Sequence, residues 1–195
     1  IARAWGLMLG VLPMTDDRFR TLVTIQPDGD PEEVSFQDYF VRLRHDVAVH
    51  SIRFDHDDAH LTDAARSALS DADVVVIAPS NPLVSIGPIR ALADVDELLA
   101  ARRSSVVAIS PIVGGAALKG PADRMLAELG FDASVGGVAG LYASVAATLI
   151  VDPVDAPAAD DVEAAGIQCV VTPTVMSEPG VAASLAQACL DAASG

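Results

Sequence analysis

The stretch "DVVVIAPSNPLVSIGPI" (residues 73–89) joins a short β-branched run to a segment rich in serine, asparagine, glycine and proline. An apolar run of this length, bounded by turn-forming residues, is typical of a buried β-strand that ends in a loop. The stretch "SVVAISPIVGGAALKGPADRM" (105–125) repeats the pattern, because a second apolar run is followed by glycines, a lysine and a proline. Each stretch therefore predicts a strand whose carboxyl end leads into an unusual loop.

Further apolar runs lie on both sides of these two and predict the other strands. They are "TLVTI" (21–25), "VAVHSIRF" (47–54), "ATLIVD" (147–152) and "IQCVVT" (167–172). Helical patterns fall at 61–72, 95–103, 121–130, 137–146, 160–166 and 178–193. Strands that alternate with helices from residue 61 onward indicate a parallel sheet with helices on both faces. The predicted fold class is α/β, a doubly wound, mainly parallel and Rossmann-like sheet in three layers.

Helix-capping residues support several of these boundaries. Thr62 precedes a helical pattern as an N-cap, and Gly130 and Gly166 follow helix ends where a left-handed residue is favoured. Pro121 is expected in a first helical turn, where no amide hydrogen is needed.

The first 60 residues are less regular than the rest. We expect a two-strand unit that turns at "PDGDP" (27–31) and then a short helix with aromatic residues. Residues 1–60 are therefore predicted to form a small irregular α+β insertion or cap, and residues 61–195 the Rossmann-like core of one domain. "IARAWGLMLG" (1–10) has the pattern of the middle of an amphipathic helix, from which we expect an N-terminal piece to precede it.

Composition excludes several classes of partner. The chain is 51% hydrophobic, yet no run approaches the roughly 18 apolar residues that cross a bilayer, so a soluble, cytoplasmic protein without a membrane partner is expected. The net charge of -15 and the lack of a basic stripe oppose nucleic-acid binding. An anionic ligand must therefore be held locally.

The cysteines and histidines do not form a recognisable metal motif. Cys169 and Cys189 are expected to be buried, reduced thiols. The four histidines lie in one polar stretch without the spacing of a zinc helix, so "FDHDDAH" (54–60) is interpreted as a solvated acidic loop.

The two strand-to-loop stretches are the first candidates for a site, since ligands bind at the carboxyl ends of parallel strands. The first loop offers the hydroxyls of Ser80 and Ser85 and the amide of Asn81; Pro82 and Gly87 belong to the same loop. The second loop offers Gly114 and Gly115, whose backbone amides could approach an oxyanion, and the cation Lys119. Together they predict a cradle for a phosphate or diphosphate. The alternatives are ordinary turn chemistry and a solvated surface lysine.

A third candidate is "LPMTDDRFRT" (12–21), in which Met14, Thr15, Asp16 and Asp17 could bind a metal or a polar heterocycle. A charged hairpin rim is the alternative. Asp123 and Arg124 are interpreted as a first-turn carboxylate and its exposed partner. Nothing matches a P-loop, a dinucleotide fingerprint or a serine-hydrolase elbow.

Five segments in this order carry a family resemblance: "LPMTDDRFRT" (12–21), "FQDYFVR" (36–42), "IAPSNPLVSIGPI" (77–89), "ISPIVGGAALKGPADRML" (109–126) and "GVAGLY" (137–142). The chain resembles the 2-phospho-L-lactate transferase family, called phosphoenolpyruvate transferase in actinobacteria, whose members help build the deazaflavin coenzyme F-420. The resemblance implies a Rossmann-like fold, a Mg²⁺ requirement and a homodimer. It also implies that the metal-binding aspartates belong to an N-terminal portion that nothing in this sequence matches.

The reaction implied by the resemblance joins the deazaflavin alcohol Fo to a phospholactyl or enolpyruvyl phosphate unit, carried as a guanosine diphosphate ester, and releases GMP. Under this hypothesis Ser80, Asn81, Ser85 and Gly87 hold the diphosphate or the Fo tail, and Lys119 adds positive charge beside the glycine amides. Residues 14–17 would line an Fo pocket or a dimer-side wall. The alternative is a non-catalytic regulatory protein of the same fold that binds a nucleotide sugar. An alanine-rich, acidic composition favours the enolpyruvyl donor by analogy.

Overall fold

The computed structural model describes residues 4, 6, 8–27 and 29–194. Residues 1–3, 5 and 7 of the helix predicted over residues 1–10 lie outside the described residues, and the described residues 8–10 are not helical. The strands are β1 (Arg20–Ile25), β2 (Glu32–Ser35), β3 (Val49–Asp55), β4 (Val75–Ile77), β5 (Val106–Ile109), β6 (Ile112–Val113), β7 (Ala116–Ala117), β8 (Thr148–Val151) and β9 (Gln168–Val171). The α-helices are α1 (Asp63–Asp71), α2 (Gly87–Arg90), α3 (Val95–Ala101), α4 (Ala122–Glu128), α5 (Val135–Tyr142), α6 (Ala159–Ala164) and α7 (Val181–Ser194).

A four-stranded parallel sheet forms the centre of the molecule, in the order β4-β5-β8-β9. All four residues of β5 and all four of β8 are buried, as expected for central strands covered on both faces. Alternate β5 side chains pack on opposite sides, Val106 and Ala108 against one cluster and Val107 and Ile109 against another. The predicted α/β class is therefore confirmed.

Helices cover both faces of this sheet. One face packs against α3, α5 and α6 through residues such as Leu99, Val138 and Val162. The other face packs against α7 through Leu185 and Cys189. This is the three-layer arrangement that the alternating strand and helix patterns predict.

A second, antiparallel sheet has the order β2-β1-β3 and precedes the parallel sheet along the chain. The predicted pairing of β1 with β2 is confirmed, and β3 adds a third strand on the other side of β1. Val23 and Ile25 of this sheet share a buried cluster with Val84 and Met125 of the α/β part. The boundary at residues 60 and 61 stays a prediction; across it, the Thr62 amide donates to the Met14 carbonyl oxygen.

The predicted helix ends are mostly correct. The Thr62 hydroxyl accepts a hydrogen bond from the Ala65 amide at 3.1 Å, and Gly130 and Gly166 have positive φ values just after helices. Pro121 lies at the N-cap of α4 and not in its first turn. Helix α5 covers Val135–Tyr142 and not 137–146, because the Ser134 hydroxyl caps its start by accepting from the Gly137 amide.

Two short π-helical turns were not predicted. One covers Asp38–Arg42, where the sequence predicts a short aromatic helix, and the other covers Pro82–Ile86, where the sequence predicts a loop. A 3-10 turn at Pro153–Ala158 follows β8. In the described part of the chain, every helix is too short or too polar to span a bilayer.

Candidate functional site

A cavity of about 580 Å³ lies at the carboxyl ends of the parallel strands. Residues 79–81 after β4, residues 110 and 111 after β5, and residues 174–177 after β9 all line it. This is the position at which open parallel sheets bind ligands, and the volume is in the usual range for small-molecule sites. The sequence prediction that the exits of two neighbouring strands, β4 and β5, converge is therefore confirmed by the geometry.

Asn81 organises the first of these exits. Its Oδ1 atom accepts hydrogen bonds from the amides of Leu83 at 2.9 Å and Val84 at 3.3 Å, so the side chain caps the π turn. Its Nδ2 atom points to the Met125 sulfur at 3.6 Å. Asn81 lines the cavity, but its polar atoms are already engaged, so its observed role is to shape the turn that carries Ser85.

Ser80, Ser85 and Lys119 are the predicted residues whose polar ends are available to a ligand. The Ser80 side chain is half-buried, and Ser85 and Lys119 are exposed at the same cavity. Lys119 is the single lysine of the sequence and the single charged side chain among the described lining residues. Within the described residues it forms no ion pair, which leaves the ammonium group free to meet an anion.

Gly114 and Gly115 have a different role from the predicted one. They form the two-residue turn between β6 and β7, and their φ values of 61° and 79° match the type I′ turn that such hairpins favour. The Gly114 amide donates to both carboxylate oxygens of Asp155 at 3.0 Å. The turn does not line the cavity; it carries the strand that leads to Lys119.

Pro82 and Gly87 line another cavity, of about 500 Å³, between β3 and α2. A Cβ atom at Gly87 would lie 3.2 Å from the Phe54 ring and 3.2 Å from the Pro82 carbonyl oxygen. Gly87 has a helical φ of -51°, so close packing and not a special backbone conformation accounts for the glycine. These two residues are not part of the first cavity.

The segment at residues 14–17 lies at a third place. The Asp17 carboxylate accepts from the His60 amide at 3.0 Å, and the Thr15 hydroxyl accepts from the Asp17 amide at 3.1 Å. Asp17 lines a small cavity of about 120 Å³ together with Arg18 and residues 55–57, while Met14 packs against the main core. The structure does not bring this segment into the first cavity.

Asp152 and Thr174 are site-forming residues that the sequence prediction missed. The amide and the hydroxyl of the buried Thr174 donate to Asp152 Oδ2 at 2.9 and 3.2 Å. Burial raises the pKa of Asp152, but the hydrogen bonds from Thr174, Val154 and Val175 outweigh it and hold the pKa below its ordinary value. The ionised carboxylate therefore fixes the chain after β9 along one wall of the cavity.

Phe36 and Phe40 bring the N-terminal part of the chain to the same cavity. Between them, Tyr39 is fully buried, and its hydroxyl accepts from Arg124 Nη2 at 2.8 Å and donates to the Val47 carbonyl oxygen at 3.2 Å. Arg124 also pairs with Glu128 at 3.1 Å, so the expectation of an exposed partner for Asp123 is wrong. Arg124 instead joins α4 to the aromatic segment.

The described residues do not form a metal site. Among them, no group of three or more histidine, cysteine or acidic side chains could hold a metal ion, and no carboxylate lines the first cavity. The Mg²⁺ expected from the sequence stays a prediction. Cys189 is buried, Cys169 is half-buried, and both are free thiols whose pKa is raised by burial.

The geometry supports binding of an anion that carries a larger organic group. The lining residues include the hydroxyls of Ser80, Ser85 and Ser177 and the ammonium group of Lys119. They also include large, exposed apolar side chains, among them Phe40 and Met176. The polar groups suit a phosphoryl group, and the apolar side chains suit an uncharged part of a ligand.

A family model described as "2-phospho-L-lactate transferase CofD" matches residues 1–183. A phosphoenolpyruvate transferase from Streptomyces griseus is 39% identical over 191 residues, which are 97% of this chain and 60% of the relative. A 2-phospho-L-lactate transferase from Methanocaldococcus jannaschii is 36% identical over 174 residues, which are 89% of this chain and 54% of the relative. The chain thus spans somewhat more than half the length of these curated relatives.

A solved structure from Bacillus halodurans, a member of the upf0052 family, is similar in fold. Its TM-score is 0.62 at 15% sequence identity, and the match covers 97% of this chain and 64% of that one. A likeness at this identity concerns the fold alone.

Proposed function

Because this chain belongs to the 2-phospho-L-lactate transferase CofD family, whose model matches residues 1–183, we propose that it acts as a transferase in the biosynthesis of coenzyme F-420. The acceptor is the deazaflavin alcohol Fo, and the donor is a guanosine diphosphate ester of a three-carbon acid. Relatives from Streptomyces and Mycobacterium are named phosphoenolpyruvate transferases, which favours the enolpyruvyl donor. The Methanocaldococcus relative carries the phospholactate name, so the donor is the finer part of the proposal.

The proposed reaction is one substitution at phosphorus. The terminal hydroxyl oxygen of the acceptor forms a bond to the phosphorus that bears the three-carbon group. The bond from that phosphorus to the bridging oxygen of the diphosphate breaks, GMP leaves with the electron pair, and the hydroxyl proton passes to solvent. Such transfers depend on alignment of the two oxygens and on neutralisation of the phosphoryl charge.

The chain's own residues supply positioning and charge in this proposal. Lys119 approaches the phosphoryl oxygens from the loop after β7, and Ser80 and Ser85 donate hydroxyl hydrogens from the chain after β4. Asn81 and Asp152 hold the two neighbouring loops in place. The observation that carries the proposal is that one unpaired ammonium group and two free hydroxyls, from separate strand exits, meet at one cavity at the carboxyl edge of the sheet.

An assay of the 195-residue chain tests the function. Fo, the guanylylated enolpyruvyl donor and Mg²⁺, which the family resemblance implies, are mixed with the protein, and GMP and the new phosphodiester are measured by chromatography. We expect product with the wild type, a loss of about 100-fold with Lys119→Ala, and partial recovery with Lys119→Arg, since one charged hydrogen bond contributes about 1.5–3 kcal/mol. Arg66→Ala is the control, because Arg66 pairs with Asp94 and does not line the cavity.

Chemical labelling tests the same site without turnover. Because Lys119 is the single lysine, acetylation measured by mass spectrometry reports on this side chain, with the N-terminal amine as an internal control. Pyrophosphate or the donor is expected to slow acetylation of Lys119 and not of the terminus. Equal protection of both amines, or of neither, would contradict the placement of the diphosphate.

The homodimer implied by the resemblance is also part of the proposal, and light scattering of the purified chain measures it. Binding of a nucleotide sugar without any product in the transfer assay would instead support the alternative, a non-catalytic regulatory protein.

A further inference from the structure

The β6–β7 hairpin that leads to Lys119 is too small to hold its own position. Each of its strands has two residues, and in the described part of the chain neither strand pairs with a third one. An isolated two-stranded hairpin is at best marginally stable in water. The position of Lys119 therefore depends on the contacts that the hairpin makes with the rest of the molecule.

The base of the hairpin is fixed by the chain around it. At the start of β6, the buried Ser110 hydroxyl accepts from the Ile112 amide at 3.1 Å and donates to the Ile112 carbonyl oxygen at 3.0 Å. At the end of β7, the half-buried Ala117 packs against the main core. These contacts lie away from the tip of the hairpin at Gly114, which is held by a different segment.

Asp155 holds this tip. Both of its carboxylate oxygens accept from the Gly114 amide at 3.0 Å, and a hydrogen bond to an ionised carboxylate is stronger than one between neutral groups. Among the described residues, the Asp155 carboxylate forms no ion pair that would compete for it. The Asp155 amide donates to the Asp152 carbonyl oxygen at 2.9 Å, so the carboxylate belongs to a closed 3-10 turn.

The tip of the hairpin is close to Lys119 along the chain. Lys119 comes two residues after β7 and two residues before Pro121, the N-cap of α4. Release of the Gly114 amide would allow β7 to shift and would displace the ammonium group at the cavity. Misplacement of an aligned group by about 1 Å can cost about 100-fold in rate. Asp155 does not line the first cavity, so any effect on a ligand there passes through other residues.

We propose that Asp155 is a positioning residue for Lys119: it fixes the tip of the hairpin and thereby the point at which the ammonium group meets a phosphoryl anion. The inference rests on the proposed function, because it concerns the cation that is assigned there to the phosphoryl oxygens. Gly114 and Asp155 are 41 residues apart, so the contact is a property of the fold and not of a local motif.

A double-mutant cycle on the 195-residue chain tests whether Asp155 acts through Lys119. Pyrophosphate affinity is measured by calorimetry, and kcat/KM for the donor by the transfer assay, in Asp155→Ala, Lys119→Ala and the double variant. We expect Asp155→Ala to lower both quantities about tenfold, but to change them less than twofold when Lys119 is already replaced. Asp155→Asn keeps a neutral acceptor and is expected to recover part of the loss.

Asp160→Ala is the matched control. It removes the same charge from an exposed residue of α6 that does not line the cavity, and both quantities are expected to stay within twofold of wild type.

Hydrogen exchange followed by NMR separates release of the hairpin tip from a general loss of stability. In Asp155→Ala the Gly114 amide is expected to exchange severalfold faster, while the amides of the buried Val107 and Ala108 in β5 keep their wild-type rates. Faster exchange at all three amides would show that Asp155 supports the whole fold and would overturn the positioning role. Asp155→Asn provides the same comparison if Asp155→Ala does not fold.

The cycle also distinguishes failure of this inference from failure of the proposed function. An equal loss from Asp155→Ala with and without Lys119, or a change of less than twofold in the wild-type background, overturns the positioning role, while product formation by the wild type leaves the proposed function standing. If the wild type neither binds pyrophosphate nor forms product, both fail. If it forms product without measurable pyrophosphate binding, kcat/KM alone decides by the same criterion.

Discussion

Asn81 illustrates how a polar residue at a strand exit can serve the fold before it serves a ligand. Its Oδ1 atom accepts from two amides of the π turn, and this turn sets the position of Ser85 at the cavity. Ser85 lies on the exposed side of the same turn, where its hydroxyl is available. Within this one motif, Asn81 therefore shapes the turn, while the Ser85 hydroxyl is available to contact a ligand.

We predict that Asn81→Ala lowers the free energy of unfolding by about 1–2 kcal/mol, the usual loss when a capping side chain is removed. Asn81→Asp retains an acceptor and is expected to recover most of that loss. Ser85→Ala is the control, with a change within about 0.5 kcal/mol because the side chain is exposed. Urea unfolding followed by circular dichroism measures all three; equal stability of Asn81→Ala and wild type would refute the capping role.

At the scale of elements, Gly137 and Gly140 of helix α5 differ in the space around them. A Cβ atom at Gly137 would lie 1.9 Å from the Asp132 carbonyl oxygen, so the backbone before the helix would have to move. A Cβ atom at Gly140 would meet nothing within 4 Å. The first glycine is required by packing, and the second is not.

Gly137→Ala is therefore expected to destabilise the protein by at least about 3 kcal/mol, as severe overpacking does. Gly140→Ala is expected to stabilise it by about 0.5–1 kcal/mol, because alanine favours the helix and restricts the unfolded chain. Thermal unfolding of the two variants gives the comparison. A loss of stability in both, or in neither, would show that the start of α5 is packed differently.

The elements also show what the sequence could and could not predict. The buried runs of β5 and β8 and the capping side chain of Thr62 are local signals, so those strands and the start of α1 were predictable. The hairpin at Gly114 and Gly115 has strands of two residues, which are too short for a periodic pattern. The hydrogen bonds from Thr174 to Asp152 join residues 22 apart, and no spacing rule reports such a tertiary contact.

The carboxylate of Asp152 makes the chain after β9 sensitive to pH. Its pKa is lowered on folding, so its contribution to stability is complete above the ordinary value of 3.8 and is lost as the pH falls through the folded pKa. In Asp152→Asn, a neutral amide replaces the carboxylate that accepts these hydrogen bonds. The variant should therefore be less stable than wild type at pH 7, with a smaller difference in the free energy of unfolding at pH 3. Urea unfolding at the two pH values tests this. Asp73→Asn, at an exposed side chain, is the control, and its stability at pH 7 is expected to stay within about 0.5 kcal/mol of wild type.

At the scale of the whole molecule, the net charge is -15, and Lys119 is the one free cation among the described residues that line the cavity. Long-range repulsion should slow the approach of an anionic ligand, and salt should relieve it. Between about 10 mM and about 150 mM salt the Debye length falls from about 30 Å to about 8 Å.

We therefore expect the association rate constant of GDP to rise severalfold over this range of salt, while that of uncharged guanosine stays constant. Stopped-flow titration of both ligands measures the difference. If GDP instead associates more slowly as salt is added, the local field of Lys119 dominates the total charge.

The 3-10 turn Pro153–Ala158 and the residue before it connect two walls of the cavity. Asp152 holds the chain after β9, and Asp155 holds the tip of the hairpin that leads to Lys119. A first ligand that immobilises one of these loops also restrains the other through the shared turn, so less entropy remains to be lost when a second ligand arrives. Under the proposed function, donor and acceptor are thus expected to bind with positive cooperativity, each tightening the other's association without any large movement of the sheet.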